Sequence, residues 1–266
     1  MSTTSTLDRL VRYLANGSAC YGLDRGDHLA RLSGAPWAGG RATGDRDDPS
    51  ATQLAPCEPT KIVCIGLNYL EHVKENVTGA PRPSAPPPEP MFFFKPPSAV
   101  TAPGEPIVKP AGLVRLDPEG EMALVIGRRA HRVAEQDALA CVAGVTAFND
   151  VSARDWQKAD SQWSRAKGSD TFAPFGPCIA LGLDPRDLSL ELAVNGSVRQ
   201  RTRTSAMHFG PAVLVSWVSR FVTLEPGDLI ATGTPAGVAP IEPGDEVSIT
   251  LEGVGTLVNR VVAAPV

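Results

Sequence analysis

The sequence predicts a mostly β fold with a few helices. It divides into a small N-terminal β domain with its linker, residues 1–58, and a larger main domain, residues 59–266. Three observations carry this. Glycine and proline number 25 each in 266 residues, enough to cut the chain into short segments and too few for a low-complexity chain. The turn dipeptides Asn16-Gly17, Asn195-Gly196, Pro226-Gly227 and Pro243-Gly244 fall between short apolar runs. Hydrophobic residues make up 42% and charged residues 20%, the range of a chain with a buried core.

The elements follow in order. Leu7, Leu10, Val11 and Leu14 fit a helical stripe, but Asn16-Gly17 and Arg25-Gly26-Asp27 separate three short segments, which favours a β-meander over residues 7–33. Residues 34–59, rich in Gly, Pro, Asp and Ala without a sustained period, read as a surface linker. Lys61–Gly66 reads as a short buried strand that opens the larger domain. Residues 78–90 hold so many prolines that neither helix nor central strand can form, so they read as an extended loop, a lid or a plain surface excursion. Gly120–Ile126 is a strand, and 134–142 and 153–166 are helices. Asn195-Gly196 is a hairpin turn. Pro211–Phe221 is a helix with proline in its first turn, and strands follow near 229–232 and 246–251.

Charge excludes some functions. Lys plus Arg is 25 against 29 Asp plus Glu, a net −4, and this balance argues against a nucleic-acid binder or a polybasic membrane-surface protein, both of which need a cationic face. No apolar run approaches the ~20 residues of a membrane span. Cys20, Cys57, Cys64, Cys141 and Cys178 are odd in number and contain no C-x-x-C pair. Met1 to Thr6 are polar, and Arg9 and Arg12 interrupt the nearby apolar stretch. The expectation is five reduced thiols in a cytoplasmic protein without a signal peptide.

Three stretches carry candidate chemistry. In the strand after Asp117, alternation puts Glu119, Glu121, Ala123 and Val125 on one face and Met122, Leu124 and Ile126 on the other. Two carboxylates about 7 Å apart on a buried strand would repel and lose hydration unless a cation lay between them. Oxygen ligands suit Mg²⁺ or Mn²⁺. The alternative is an exposed strand end with two solvated glutamates. In the second stretch, Gly66–Glu75, a helix would set His72 and Glu75 on one face, either as a water-activating pair or as an ordinary surface pair. In the third, Asp150 is a further acidic candidate, while Ser152 and Asp155 read as a capping box for the following helix. Phosphate-loop, nucleophile-elbow, H-E-x-x-H and strand-linked dinucleotide motifs are absent, and 15 aromatic residues are few for a sugar-binding cleft.

Taken in this order, these stretches resemble the fumarylacetoacetate hydrolase family from about Pro59 to Val262. The motifs are Gly66-Leu-Asn-Tyr, Phe94-Lys-Pro, Asp117-x-Glu-x-Glu, Asn149-Asp-x-Ser-Ala-Arg-Asp-x-Gln, Lys167-Gly-Ser-Asp-Thr-Phe-Ala-Pro-Phe-Gly-Pro177, Thr204-Ser-x-Met and Leu224-Glu-Pro-Gly-Asp-Leu-Ile-x-Thr-Gly-Thr-Pro235. The resemblance implies a mixed β-roll, a homodimer, and Mg²⁺ or Mn²⁺ held by Glu119, Glu121 and Asp150. It implies a water-activating pair in His72 and Glu75 and an active-site lysine in Lys167. It places Arg154 and Gln157 on the substrate side, and Lys95 and Thr234 at pocket positions. Two departures stand out: a longer, proline-richer segment between Glu75 and Met91, and His208 after Met207, which is packing, pocket or dimer contact.

The implied substrate is a small 2-oxo acid. In an acylpyruvate, cleavage of the C3–C4 bond leaves charge on a pyruvate enolate, which a dication and Lys167 would stabilise. Hydrolysis with His72 as base is the leading expectation. Decarboxylation of an oxaloacetate-type acid or isomerisation of a 2-hydroxydienoate would use the same site. A non-catalytic 2-oxo acid-binding homodimer is the remaining class, and its expected mark, loss of a carboxylate, the His–Glu pair or the lysine, is missing from this sequence.

Overall fold

The computed structural model describes residues 7–75 and 85–265. Most of the proline-rich loop therefore lies outside the described residues. The main sheet runs, neighbour to neighbour, through Ala42–Asp47, Leu29–Leu32, Ser18–Asp24, Arg9–Ala15, Ala173–Leu181, Val142–Asn149, Gly120–Ile126, Leu229–Ala231, Ile62–Gly66 and Met91–Lys95. A second sheet orders Ser197–Arg203, Ser189–Val194, Glu246–Leu251, Gly255–Ala263 and Ile107–Lys109. Both sheets are mixed: Leu229–Ala231 runs parallel to Ile62–Gly66, and Gly255–Ala263 parallel to Ile107–Lys109.

Gly120–Ile126 is buried at every residue. Its alternation is as the sequence indicates, since Met122, Leu124 and Ile126 join one apolar cluster and Ala123 and Val125 the other. A strand covered on both faces loses its polar periodicity and keeps only its alternation of cluster. Among the described residues no helix is long and apolar enough to cross a membrane, and all five cysteines are unpaired.

The N-terminal meander forms, with Arg9–Ala15 and Ser18–Asp24 in register across Asn16-Gly17, both at positive φ. It continues the main sheet, because Arg9 and Leu10 pair with Ala180 and Ile179. The stretch read as a linker contributes two further strands, Ala42–Asp47 and Gln53–Leu54. The first is an almost fully exposed edge, so no side-chain pattern betrays it and backbone pairing alone makes it a strand. The helix expected over 153–166 is two short ones, Arg154–Ala159 and Ser164–Gly168, because Asp160 leaves helical geometry at ψ 142°. The helix expected over 134–142 is the single turn Glu135–Ala138, a 3₁₀ turn through Cys141, and then a strand. Pro211–Phe221 is helical over its expected length.

Candidate active site

Sheet register assembles the carboxylates. Gly120 pairs with Asn149 and Glu121 with Phe148, so Asp150, just past its strand, comes opposite Glu119. The Asp150 N–H donates to the Glu119 carbonyl, and the Glu119 N–H to Asn149 Oδ1. Glu119, Glu121 and Asp150 are all buried, and one oxygen of each lies within 4.8 Å of the others. The Gly233 N–H donates to Glu121 Oε2 at 2.8 Å. This approach needs glycine: φ is +97°, and a Cβ would stand 2.8 Å from the Asn68 Cβ.

Cations surround the triad. Lys167 Nζ bridges Glu119 Oε2 at 2.6 Å and Asp150 Oδ2 at 2.7 Å. Arg154 divides its guanidinium among Asp117, Glu119 and Gln157. Lys95 does not line the cavity, contrary to the pocket position implied for it. Its ammonium is fully buried behind Asp150, where it donates to the carbonyls of Val151, Lys167 and Phe172. Asp150 Oδ1 lies 2.7 Å from the Lys95 nitrogen in a buried ion pair. The three clustered carboxylates offer an all-oxygen donor set of the kind a hard dication requires. The residues present fit Mg²⁺ or Mn²⁺.

The electrostatics split the two glutamates. Burial pushes Glu119 upward, but Arg154, Lys167 and His72 outweigh it and hold the carboxyl well below the usual range. Burial, with Asp150 and Glu119 adding repulsion, raises Glu121 well above it. Burial lowers Lys167, yet Asp150 and Glu119 more than offset this and keep it charged. In the metal-free protein Glu121 thus holds a proton over a window that opens at the ordinary carboxylate pKa and closes at its raised value. Its contribution to apo stability is present below that window and is lost as pH rises through it. A dication held here would need the ionised form, so its binding would expel this proton. Across the same window apparent Mn²⁺ affinity is expected to rise about tenfold per pH unit. Calorimetric titration in buffers of different ionisation enthalpy checks this, with release of about one proton per Mn²⁺ expected.

His72 stands opposite the carboxylates. Asn68 pins the chain entering helix Leu70–Lys74, donating to the carbonyls of Phe209 and Thr232 and accepting from the Phe209 N–H. Glu75 follows the helix, and its Oε2 lies 3.0 Å from His72 Nδ1. His72 Nε2 points inward, 3.9 Å from Glu119 Oε1. Partial burial raises Glu75, but His72 and the Gly237 N–H outweigh it and keep it ionised.

A cavity of about 330 Å³ joins these groups, lined by His72, Glu119, Glu121, Asp150, Lys167 and Thr234 at one end. Arg154, Gln157 and Lys158 line it as well, with an apolar wall of Ile65, Met91, Phe93 and Trp163. Phe93 and Trp163 meet edge to face at 5.5 Å, and Lys167 Nζ lies 5.1 Å from the Phe93 ring centre. The sequence reading missed this wall, and alternation along Met91–Lys95 is the signal that would have found Met91 and Phe93. It also missed Asp117, fully buried between Arg115 and Arg154. The capping box is corrected: Ala153 is the N-cap, without a side-chain bond. Ser152 Oγ donates to the Asp150 carbonyl and Glu119, and Asp155 accepts from Val114 and Arg115. His208 is exposed, outside the cavity lining, and packs on Phe209 at 4.4 Å.

Residues 61–262 match the family described as fumarylacetoacetate (FAA) hydrolase C-terminal, and residues 8–56 match Rv2993c-like, N-terminal. Protein Rv2993c of Mycobacterium tuberculosis is 50% identical over 212 residues, 79% of this chain and 78% of that protein. The human oxaloacetate tautomerase FAHD2B, mitochondrial, is 37% identical over 266 residues, 95% of this chain and 79% of that protein. The 2-hydroxyhepta-2,4-diene-1,7-dioate isomerase from Mycobacterium marinum superposes with a TM-score of 0.88 at 41% identity, over 97% of this chain and 100% of that one. Maleylpyruvate hydrolase from Sphingobium sp. SYK-6, solved with manganese(II) and pyruvate, gives 0.78 at 28% identity over 97% of this chain and 100% of that one.

Proposed function

This chain belongs to the fumarylacetoacetate hydrolase family, and from that premise we propose that it is a Mg²⁺- or Mn²⁺-dependent hydrolase of the C3–C4 bond in acylpyruvate-type 2,4-dioxo acids. The observation that carries the reading is the pairing of two devices across one cavity: a three-carboxylate cation site and, facing it, an imidazole oriented by its own carboxylate. Glu119, Glu121 and Asp150 would hold the dication, which supplies Lewis acidity to a chelated 2-oxo acid.

The chain's own residues do the rest. Glu75 fixes the His72 ring, so Nε2 faces the cavity and takes a proton from water as its oxygen adds to C4. The C3–C4 bond then breaks, C4 leaves as a carboxylic acid, and the electron pair passes into the pyruvate enolate. Lys167, charged and lining the same cavity, would stabilise the negative charge as it develops. The proton on His72 returns to C3 and restores the base. Arg154 and Gln157, bonded to each other, present polar groups to the substrate, while Phe93 and Trp163 limit water along the apolar wall.

A second reading draws on the relatives named tautomerase and isomerase. Proton transfer at C3 without water attack, or loss of CO₂ from an oxaloacetate-type acid, uses the same cavity. Purified protein with Mn²⁺ and acylpyruvates, oxaloacetate and dienoates separates them. Decay of the diketone enol absorbance with release of pyruvate supports hydrolysis. Isomer formation or CO₂ release alone supports the second reading.

The protein is further proposed to act as a homodimer. Met91–Lys95 pairs on one side only among the described residues, and beside it Phe94 and Phe221 are 45% and 63% exposed. Phe92, Phe94, Trp217 and Phe221 form a continuous aromatic surface, the kind that marks an interface. Sedimentation equilibrium is expected to give twice the chain mass, and a monomer at micromolar concentration would count against it.

A further inference from the structure

Strand Ser197–Arg203 is the outer strand of the second sheet and carries three arginines. Five of its residues are exposed and Thr202 is half-buried; Gln200 alone is buried, at 2% exposure. A buried amide in a solvated strand must find partners for its carbonyl and both N–H groups. Gln200 Oε1 accepts the Gly120 N–H at 2.9 Å. Its Nε2 donates to Thr234 Oγ1 at 2.8 Å and to the Pro235 carbonyl at 2.7 Å. The Thr234 hydroxyl in turn donates to the Gly120 carbonyl at 3.0 Å.

Gly120 lies between Glu119 and Glu121. Its strand is paired on the far edge by Leu229–Ala231 over Ala123–Val125, with a last backbone bond from the Thr232 N–H to the Met122 carbonyl, so that ladder has stopped before Gly120 is reached. Gln200 and Thr234 supply the missing hydrogen bonds from side chains. Gly120 permits this, since a Cβ there would meet Leu192 at 3.0 Å and Gln200 Oε1 at 3.3 Å. The same amide holds the segment that grips the base. Beyond Pro235, the Gly237 N–H donates to Glu75 Oε1 at 3.0 Å. Gly237 sits at φ +107°, so close to the Gln200 strand that a Cβ would fall 2.1 Å from the Arg199 carbonyl.

We propose that Gln200 is a positioning residue that fixes the carboxylate-bearing end of strand Gly120–Ile126 and the segment holding Glu75 in one frame. It touches neither cavity nor substrate and acts through Gly120 on Glu119 and Glu121, and through Pro235 and Gly237 on Glu75 and His72. The catalytic consequence rests on the reading of the site given above; the structural coupling does not.

The test uses full-length Gln200→Met, which keeps side-chain length and removes every bond, and Gln200→Glu, which keeps the acceptor for Gly120 and removes the donors. Three readouts apply: Mn²⁺ affinity without substrate by electron paramagnetic resonance, amide exchange in EDTA by mass spectrometry over 118–124 and 232–238, and kcat and KM on an acylpyruvate. Gln200→Met is expected to weaken Mn²⁺ binding by about tenfold or more and to speed exchange in both segments. Its kcat should fall about tenfold while KM moves less than about threefold. Gln200→Glu should retain Mn²⁺ affinity and slow exchange near Gly120, and lose protection at 232–238 together with kcat. Arg201→Gln, on the same strand, should alter none of these.

A folded Gln200→Met protein that binds Mn²⁺ within about twofold of the parent, with unchanged exchange in both segments, overturns the proposal. If Gln200→Met does not fold, Gln200→Glu decides: loss of protection confined to 232–238 supports it, and a uniform rise along the chain overturns it. Wild-type protein inactive on every 2-oxo acid would end the functional reading, yet the affinity and exchange data would still judge Gln200.

Discussion

Glu121→Gln is expected to weaken Mn²⁺ binding by about 100-fold or more and to remove turnover with it, while leaving the metal-free fold intact. Even outer-shell partners of a metal site cost about 10–100-fold when lost, so a direct ligand should exceed that. The variant separates metal binding from folding for a specific reason. Burial beside Asp150 and Glu119 raises Glu121 well above the usual carboxylate range and favours its neutral acid in the metal-free protein, and glutamine has the shape of that acid. Its amide oxygen can still accept the Gly233 N–H. What changes is the second position, where an NH₂ replaces an oxygen that could have ionised. Melting temperature in EDTA should match the parent, and only the parent should gain stability on adding Mn²⁺. Equal stabilisation of both proteins by Mn²⁺ would remove Glu121 from the ligand set.

His72→Ala is expected to do the opposite: to keep the metal and lose the reaction. Its Nε2 is 3.9 Å from Glu119 and its Nδ1 is held by Glu75, so the ring stands beside the carboxylate cluster without belonging to it. Removal of a positioned general base lowers kcat by about 10²–10⁴. Acylpyruvate hydrolysis should fall by that amount, with Mn²⁺ affinity little changed. Glu75→Gln should act in the same direction and less strongly, because the ring remains but loses the carboxylate that orients it. Hydrolysis at the parental rate by metal-loaded His72→Ala would rule out His72 as the base.

These effects trace to features that were legible in the sequence to different degrees. Glu119 and Glu121 could be read because a strand alternates, and the clusters on the two sides of Gly120–Ile126 keep that alternation even where every residue is buried. His72 and Glu75 could be read because residues three apart share a helix face, and Glu75, the residue that caps helix Leu70–Lys74, keeps that neighbourhood. Asp150 was visible as an acidic residue, but its place opposite Glu119 depends on the register of a neighbouring strand, which no local pattern states. Lys95 was assigned by motif to the pocket, whereas its three backbone acceptors come from segments 56 to 77 residues away and draw it behind Asp150. Ser152 has the composition of a helix cap, but its hydroxyl bonds the Asp150 carbonyl two residues back and the distant Glu119, and these bonds displace the cap. Gln200 sits in a run that reads as a solvated strand, and its partners lie 34, 35 and 80 residues away. The edge strand Ala42–Asp47 was invisible because neither of its faces is buried well enough to impose a pattern.

The claim on which the rest depends is that Glu119, Glu121 and Asp150 hold one dication. Anomalous diffraction at the manganese edge, from crystals grown with Mn²⁺, tests it directly. One strong peak bounded by the oxygens of these three carboxylates, and absent from Glu121→Gln crystals, is the expected result. An active protein whose crystals show no peak there, or show it held by other side chains, would contradict it.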